Sequence, residues 1–328
     1  MKVAIYSAQP YDRFSFDQVN EEYGHEFLYL DIDLNIFTAK LAEGCEAVCI
    51  FVNDHADADV LKTLLSIGIK TLVLRCAGFN QVDLEVAKEL GIQVMRVPAY
   101  SPEAVAEHAV AMILTLNRKT HKAYNRVREG NFSLVGLTGF NLYRKKVGVI
   151  GLGKIGLAFS KIIHGFGCEI LAYDPVVQDY PDYIKVVQLE ELLQVCEIIS
   201  LHCPLFEDTL HLINKERLAK MKDGVMLINT SRGGLVHTRD IIEALKKRKV
   251  GFLGIDVYDQ EEKLFFRDLS GNIIEDDDIL RLMSFPNVLI TSHQGFFTSE
   301  ALNEIAHITL QNLVDAAGGI ITENSLTY

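Results

Sequence analysis

The stretch from Lys145 to Asp174 constrains this chain more than any other. An apolar, β-prone run, Val147 to Ile150, meets Gly151-x-Gly153-x-x-Gly156, then a helical pattern, then a second apolar run that ends on Asp174. Each part has a physical task in holding a dinucleotide. Gly151 permits the tight turn out of the strand, Gly153 lets the backbone approach a pyrophosphate, and Gly156 lets helix and strand pack closely. The phosphates would sit on the N-terminus of the following helix. Unpaired N–H groups and the helix dipole favour negative charge there. Asp174 lies 18 residues beyond Gly156, where a carboxylate accepts hydrogen bonds from ribose hydroxyls. It would repel a 2′-phosphate, so NAD(H) is expected over NADP(H).

The chain has 328 residues, 49% of them apolar and 23% charged, which is enough for two globular domains. A formal charge of −12 argues against nucleic acid or an anionic membrane as partner. The same field repels an anionic substrate, which would need a local cationic anchor. The six cysteines (Cys45, Cys49, Cys76, Cys168, Cys196 and Cys203) sit in or beside apolar runs and form no CxxC. Buried free thiols in a reducing compartment are expected, with no metal site. The N-terminus reads as a first strand and no apolar run approaches membrane-spanning length, so a cytoplasmic protein is expected.

Two α/β patterns succeed one another. The first has β-like runs at 2–7, 26–31, 47–52, 71–76 and 93–97, with helical spacing between Ala58 and Gly68 and between Leu84 and Leu90. Strands alternating with helices imply a parallel sheet covered on both faces. Ser101-Pro102-Glu103 then opens one long helix, running to Glu129-Gly130 and linking two domains. Residues 131–144 read as a loop. The second pattern has six strands, at 147–150, 169–174, 197–202, 225–230, 251–257 and 287–292. The acidic stretch from Asp259 to Asp278 reads as a solvated excursion. Thr298-Ser299-Glu300 caps a last helix through Ala317, stopped by Gly318-Gly319, which suggests that the C-terminus returns to the first domain. The expected fold is α/β with two doubly wound parallel-sheet domains, a Rossmann NAD-binding domain inserted into a flavodoxin-like substrate domain. The expected boundaries are 1–100 with 298–328 for the substrate domain, and 101–297 for the NAD-binding domain with its linking helix.

Hydride transfer to a carbonyl needs a cation for a neighbouring carboxylate, a proton donor, and a group that holds the donor. In an open α/β sheet these lie just past the carboxyl ends of strands. Asn229-Thr230-Ser231-Arg232-Gly233-Gly234 offers a guanidinium fork after one strand. Asp256-Val257-Tyr258-Asp259-Gln260-Glu261 follows the next, with Asp256 near where a nicotinamide ribose or amide would lie. Thr291-Ser292-His293-Gln294-Gly295 follows the sixth, and places a histidine before a glycine turn. His202, ahead of Cys203-Pro204, is a second candidate acid. Taken singly, each has an ordinary structural reading: a surface Arg, solvated acids, a packed His.

Together, Gly151-Leu152-Gly153-Lys154-Ile155-Gly156, Asn229-Thr230-Ser231-Arg232-Gly233, Gly254-Ile255-Asp256-Val257-Tyr258 and Ser292-His293-Gln294 resemble the D-specific 2-hydroxyacid dehydrogenase family. Arg75-Cys76-Ala77-Gly78-Phe79-Asn80, Val97-Pro98-Ala99-Tyr100-Ser101-Pro102 and Ala106-Glu107-His108-Ala109 are similar to its first domain. Asn131-Phe132-Ser133-Leu134 and Gly136-Leu137-Thr138-Gly139-Phe140 are closest to its fermentative D-lactate branch. The resemblance implies that Arg232 clamps a 2-oxo acid carboxylate. It implies that His293 is the acid in reduction and the base in oxidation, paired by Glu261 or its neighbour Glu262. Ala77, Gly78 and Tyr100 would complete substrate binding. The implied cofactor contacts are Lys154, Ile155, Asp174, Cys203, Pro204, Thr209, Thr230, Ser231 and Asp256, with Val105 lining the nicotinamide pocket.

The expectation is NADH-dependent reduction of pyruvate to D-lactate by a homodimer or homotetramer. The alternatives are a dehydrogenase of bulkier 2-oxo acids and an NAD-sensing binding protein on the same fold. Phosphoglycerate oxidation fits less well because no regulatory domain follows. Formate oxidation fits less well because a carboxylate rather than an amide is available to the histidine. A two-domain layout would let a cleft close and exclude water around the hydride.

Overall fold

The computed structural model describes residues 1–261 and 264–327. The chain divides into two compact units, Met1–Ser101 with Phe297–Tyr328, and Pro102–Phe296.

The first unit is built on β1 (Lys2–Ile5), β2 (Glu26–Tyr29), β3 (Ala47–Ile50), β4 (Thr71–Leu74) and β5 (Gln93–Arg96). All pairings are parallel, in the order β2-β1-β3-β4-β5, the flavodoxin-like order. Every residue of β3 and β4 is buried, which is why these strands read as unbroken apolar runs rather than alternating ones. The last helix, Ser299–Ala317, begins where Thr298 Oγ1 accepts from the Ala301 amide at 3.2 Å. It lays Ala306, Leu310 and Leu313 on Val3, Ile5, Val73 and Met95.

A buried polar cluster closes the carboxyl ends of β1, β3 and β4. Asp54, fully buried, accepts from Ser7 Oγ (2.8 Å), the Leu34 amide (2.7 Å) and the Phe51 amide (2.6 Å). Burial dominates and raises the Asp54 pKa above the usual carboxylate value, against the Arg75 charge and these bonds. Arg75 donates to the Tyr6 and Ser7 carbonyls at 2.9 and 2.8 Å and to Asp12 Oδ2 at 3.3 Å.

The second unit carries β6 (Lys146–Ile150), β7 (Glu169–Tyr173), β8 (Ile184–Val186), β9 (Ile198–Leu201), β10 (Val225–Asn229), β11 (Val250–Ile255) and β12 (Val288–Ile290). They form one parallel sheet ordered β12-β11-β10-β9-β6-β7-β8. The order reverses between β6 and β9, the switch point of a Rossmann sheet. Among the described residues, seven strands replace the six expected. The extra one, β8, is a three-residue edge strand on β7, too short to leave a periodic signal.

The single helix expected from Ser101 to Gly130 is two, Pro102–Arg118 and Thr120–Arg128. Lys119 between them takes a left-handed conformation (φ 51°). The break follows from docking of the next segment. Asn117 donates to the Phe140 carbonyl and accepts from its amide, both at 2.7 Å, and Lys119 Nζ donates to the Gly136 carbonyl at 2.8 Å. Nor is the acidic stretch after Asp259 simply solvated. Phe265 is buried in the core, with Leu264, Phe266 and Ile274 packed against it. Asp276 accepts from the Tyr258 hydroxyl (2.9 Å) while capping the helix Asp277–Met283. All six cysteines are free and buried. Among the described residues no helix is long and apolar enough to cross a membrane.

Candidate active site

The candidate residues of the second unit gather past the carboxyl ends of its strands. After β6 the chain turns at Gly151 (φ 98°) and enters the helix Lys154–Gly165. A Cβ on Gly156 would lie 2.0 Å from the Gly151 carbonyl oxygen, so only glycine lets this helix start so close to the strand. At Gly153 the same atom would meet nothing within 4 Å. Gly153 is the N-cap and has no side chain to cap the first-turn N–H groups. An open backbone cradle at a helix N-terminus suits a pyrophosphate. Lys154 is exposed and Ile155 half-buried at its rim.

Asp174 follows β7 and does more than await a ribose. Its Oδ2 accepts from the Leu152 amide at 2.7 Å, inside the glycine turn, and its Oδ1 from the Val176 and Val177 amides at 2.8 and 3.0 Å. Burial pushes the pKa up, but the three backbone donors outweigh it and hold the carboxyl below its ordinary value. The anion is thus fixed where the turn needs it.

After β9 come His202, Cys203 and Pro204. The His202 ring packs on Phe159, 4.7 Å between centroids, and its Nε2 pairs with Ser200 Oγ at 2.9 Å. Its Nδ1 is shut off from solvent without a hydrogen-bond partner, and burial pushes its pKa down to about 3. A ring held neutral and packed inward is not a proton donor near pH 7, which removes His202 as the second candidate acid. The Cys203 carbonyl accepts from Ser231 Oγ at 2.7 Å, tying this strand end to the next. Thr209 Oγ1 donates to the Pro204 carbonyl (2.8 Å) and accepts from the Phe206 amide (2.7 Å), so it braces its own turn.

Arg232 stands in the turn after β10. Asn229 shapes that turn, donating from Nδ2 to the Arg232 carbonyl (2.8 Å) and accepting from the Ser231 amide (3.1 Å). Thr230 Oγ1 is buried without a partner. Arg232 Nη1 donates to the Ser231 carbonyl at 2.7 Å, and among the described residues the guanidinium has no carboxylate partner. This turn lies under the loop after β11, since a Cβ on Gly233 would fall 2.1 Å from the Tyr258 carbonyl carbon.

That loop brings Glu261 to His293. Glu261 Oε2 accepts from the Tyr258 amide at 2.9 Å, and its Oε1 pairs with His293 Nδ1 at 2.8 Å. His293 itself is left-handed (φ 54°), and its amide donates to the Asp256 carbonyl at 2.7 Å. Glu262, the other carboxylate considered, lies outside the described residues. Asp256 is almost fully buried and faces the 291–295 turn. Its Oδ1 accepts from Thr291 Oγ1 and from the Gln294 amide (2.9 Å), and Oδ2 from the Gly295 amide (2.8 Å). His108 Nε2, on the helix Pro102–Arg118, sits 3.2 Å from Oδ1. Burial favours protonation of Asp256, yet the bonds from His108 and Thr291 and the nearby histidines keep its pKa lowered. A nicotinamide contact would have to share Oδ2. Val105, one turn before His108, is buried on the same helix.

Ala77, Gly78 and Tyr100 belong to the first unit, in the loops after β4 and β5. The Ala77 carbonyl accepts from Arg96 Nη1 at 2.9 Å, and the Gly78 carbonyl from Cys76 Sγ at 3.2 Å. Sequence reasoning placed His108 within a family motif but gave it no role. Its signal was a titratable residue on an apolar stripe, with Val105, Ala109 and Met112 at helical spacing.

Comparison with known proteins shows the family. Residues 110–295 match the model of the D-isomer specific 2-hydroxyacid dehydrogenase NAD binding domain. The chain is 53% identical to a 2-hydroxyacid dehydrogenase homolog of Haemophilus influenzae, over 99% of this chain and 98% of that one. It is 52% identical to the D-lactate dehydrogenase of Escherichia coli, over 99% and 100%. The apo-structure of D-lactate dehydrogenase from Escherichia coli superposes with a TM-score of 0.91 at 49% identity, covering all of both chains.

Proposed function

The chain belongs to the D-isomer-specific 2-hydroxyacid dehydrogenase family, and on that premise we propose that it reduces pyruvate to D-lactate with NADH. The observation that carries this reading is the His293–Glu261 pair at 2.8 Å, set on the same sheet end as a dinucleotide cradle and an arginine without a carboxylate partner among the described residues. When bound, NADH supplies the hydride. The unit Pro102–Phe296 is the NAD-binding domain, and the other unit the substrate domain.

With Nδ1 held by Glu261, the His293 ring is fixed in orientation and presents Nε2 to the substrate. Nε2 gives its proton to the carbonyl oxygen as the carbon gains the hydride, leaving D-lactate and NAD. In oxidation the same nitrogen takes the proton back. Arg232 binds the substrate carboxylate through two parallel charge-assisted bonds. Its free charge is what draws an anion to a protein of net charge −12. The helix N-terminus at Lys154 and Ile155 receives the pyrophosphate, and Asp174 the adenosine ribose hydroxyls. Cys203, Pro204, Thr209, Thr230, Ser231, Asp256 and Val105 line the remaining cofactor path. Contacts of the substrate with Ala77, Gly78 and Tyr100 rest on the family resemblance alone.

The protein acts as a homodimer or homotetramer in the cytoplasm. Tyr124, Phe132, Leu134, Val135 and Tyr143 support self-association, being large apolar residues exposed within one short segment. NADH oxidation measured on a panel of 2-oxo acids tests the function. Pyruvate should give the highest kcat/KM. A branched or aryl 2-oxo acid turning over faster would move the substrate, and no turnover with any of them would overturn the enzyme reading.

A further inference from the structure

We propose that His108 is a positioning residue for the catalytic histidine, acting through the Asp256 carboxylate and Thr291 to set the turn that presents His293. The proposal rests on the reading of His293 as the acid, and it concerns a residue that touches neither substrate nor hydride.

The geometry fixes the direction of every bond. His108 Nε2 lies 3.1 Å from Thr291 Oγ1 and 3.2 Å from Asp256 Oδ1. The Thr291 hydroxyl donates its single proton to Asp256 Oδ1, so its oxygen offers His108 only lone pairs. Both neighbours of Nε2 are acceptors, and Nε2 therefore carries a proton and donates. On its other side Asp256 holds the Gln294 and Gly295 amides, at 2.9 and 2.8 Å. Its main-chain carbonyl holds the His293 amide at 2.7 Å. His293 is thus bracketed by residues that Asp256 grips.

The packing leaves little slack. A Cβ on Gly295 would come within 3.0 Å of Asp256 Oδ2, 3.6 Å of His108 Cδ2 and 3.7 Å of Val105 Cγ1. The His293 backbone is left-handed at φ 54°, unfavourable for a non-glycine residue, and such a conformation persists only where its surroundings over-determine it. A rigid helix supplying a donor at the one carboxylate common to all these bonds provides that constraint. Without it, Asp256 Oδ1 loses its partner on the helix and Thr291 loses its side-chain tie to Pro102–Arg118.

The test compares His108→Leu, which keeps apolar volume, with His108→Gln, whose amide nitrogen can reach the place of Nε2. In His108→Leu, kcat for pyruvate reduction should fall about ten- to a hundredfold, as expected when a reacting group is misplaced by about 1 Å. NADH affinity, read by fluorescence titration, should change less than about threefold. His108→Gln should recover most of kcat. Imidazole NMR on the 15N-histidine protein gives a readout independent of turnover. The His293 Nδ1–H resonance, identified by its loss in His293→Asn, should shift or broaden in His108→Leu and return in His108→Gln. Unchanged kcat and an unchanged His293 resonance in His108→Leu would overturn the proposal. So would equal loss in both variants at equal thermal stability. Should the unmodified protein reduce no 2-oxo acid, the enzyme reading fails, while the resonance still decides whether His108 positions His293.

Discussion

Among the described residues, Arg232 has no carboxylate to release before it can bind one. Pairing with a substrate is therefore not offset by breaking an internal ion pair. Arg232→Lys keeps the charge and loses the planar fork, one charge-assisted bond of about 1.5–3 kcal/mol. We expect kcat/KM for pyruvate to drop about ten- to a hundredfold, mainly through KM, and steady-state kinetics that match the unmodified enzyme would refute the clamp. Asp174 makes a second case, because it has two tasks. Asp174→Ala should narrow the preference for NADH over NADPH by removing the repulsion toward a 2′-phosphate. It should also weaken NADH, since the Leu152 amide in the glycine turn loses its acceptor. Asp174→Asn separates the two, retaining a carbonyl for that amide while removing the charge. Binding of both cofactors as tight as before in Asp174→Ala would show that neither task matters.

At the scale of elements, what could be read beforehand was what local chemistry dictates. A turn that must take φ 98° at Gly151 and tolerate 2.0 Å at Gly156 admits one residue type, so the cradle was visible in the letters. The strand ends carrying Arg232, Asp256 and His293 were visible for a related reason, since each follows a fully apolar run. The break at Lys119, the edge strand β8 and the internal burial of Phe265 were not. Each is decided by a partner distant in sequence: Asn117 gripping Phe140, β7 lending its edge, and a core cluster that the 264–266 segment joins. The role of Asp256 was half legible, because its four donors come from a turn and a helix that only the fold assembles. The cradle yields the element-scale prediction. Gly156→Ala should force the helix Lys154–Gly165 away from β6, raising the NADH Kd at least about tenfold and lowering Tm, since overpacking of this kind costs about 1–3 kcal/mol. Calorimetric titration showing undiminished NADH affinity would mean that the helix start is not where the pyrophosphate rests.

For the molecule as a whole, the two units should answer acid in opposite ways. Asp174 and Asp256 in the second unit have folded pKa values below the usual one. Their contribution is present above the unfolded value of about 3.9 and is lost as pH falls through the folded values. Asp54 in the first unit is shifted upward by burial. Its contribution is fully present below about 3.9 and is lost as pH rises through the folded value. Lowering pH from 7 toward about 4 should therefore firm the first unit around β1, β3 and β4 through Asp54, against the opposing pull of His25, whose pKa burial lowers, while the second unit weakens from about pH 6.5 downward, because unfolding frees His202 to take up the proton that burial denies it. Hydrogen exchange read by mass spectrometry, corrected for the intrinsic pH dependence of exchange, reports on each sheet separately. Protection of β3 and β4 should rise between pH 7 and about 4, and Asp54→Asn should remove that rise because its side chain no longer titrates. Protection of β10 and β11 should decline below about pH 6.5 as unfolding lets His202 gain a proton, and collapse below about pH 4, at a higher pH still in His108→Leu, where Asp256 has lost a donor. If the first sheet opens before the second as acid is added, or Asp54→Asn leaves its pH dependence in place, the Asp54 carboxyl is not the group that sets it.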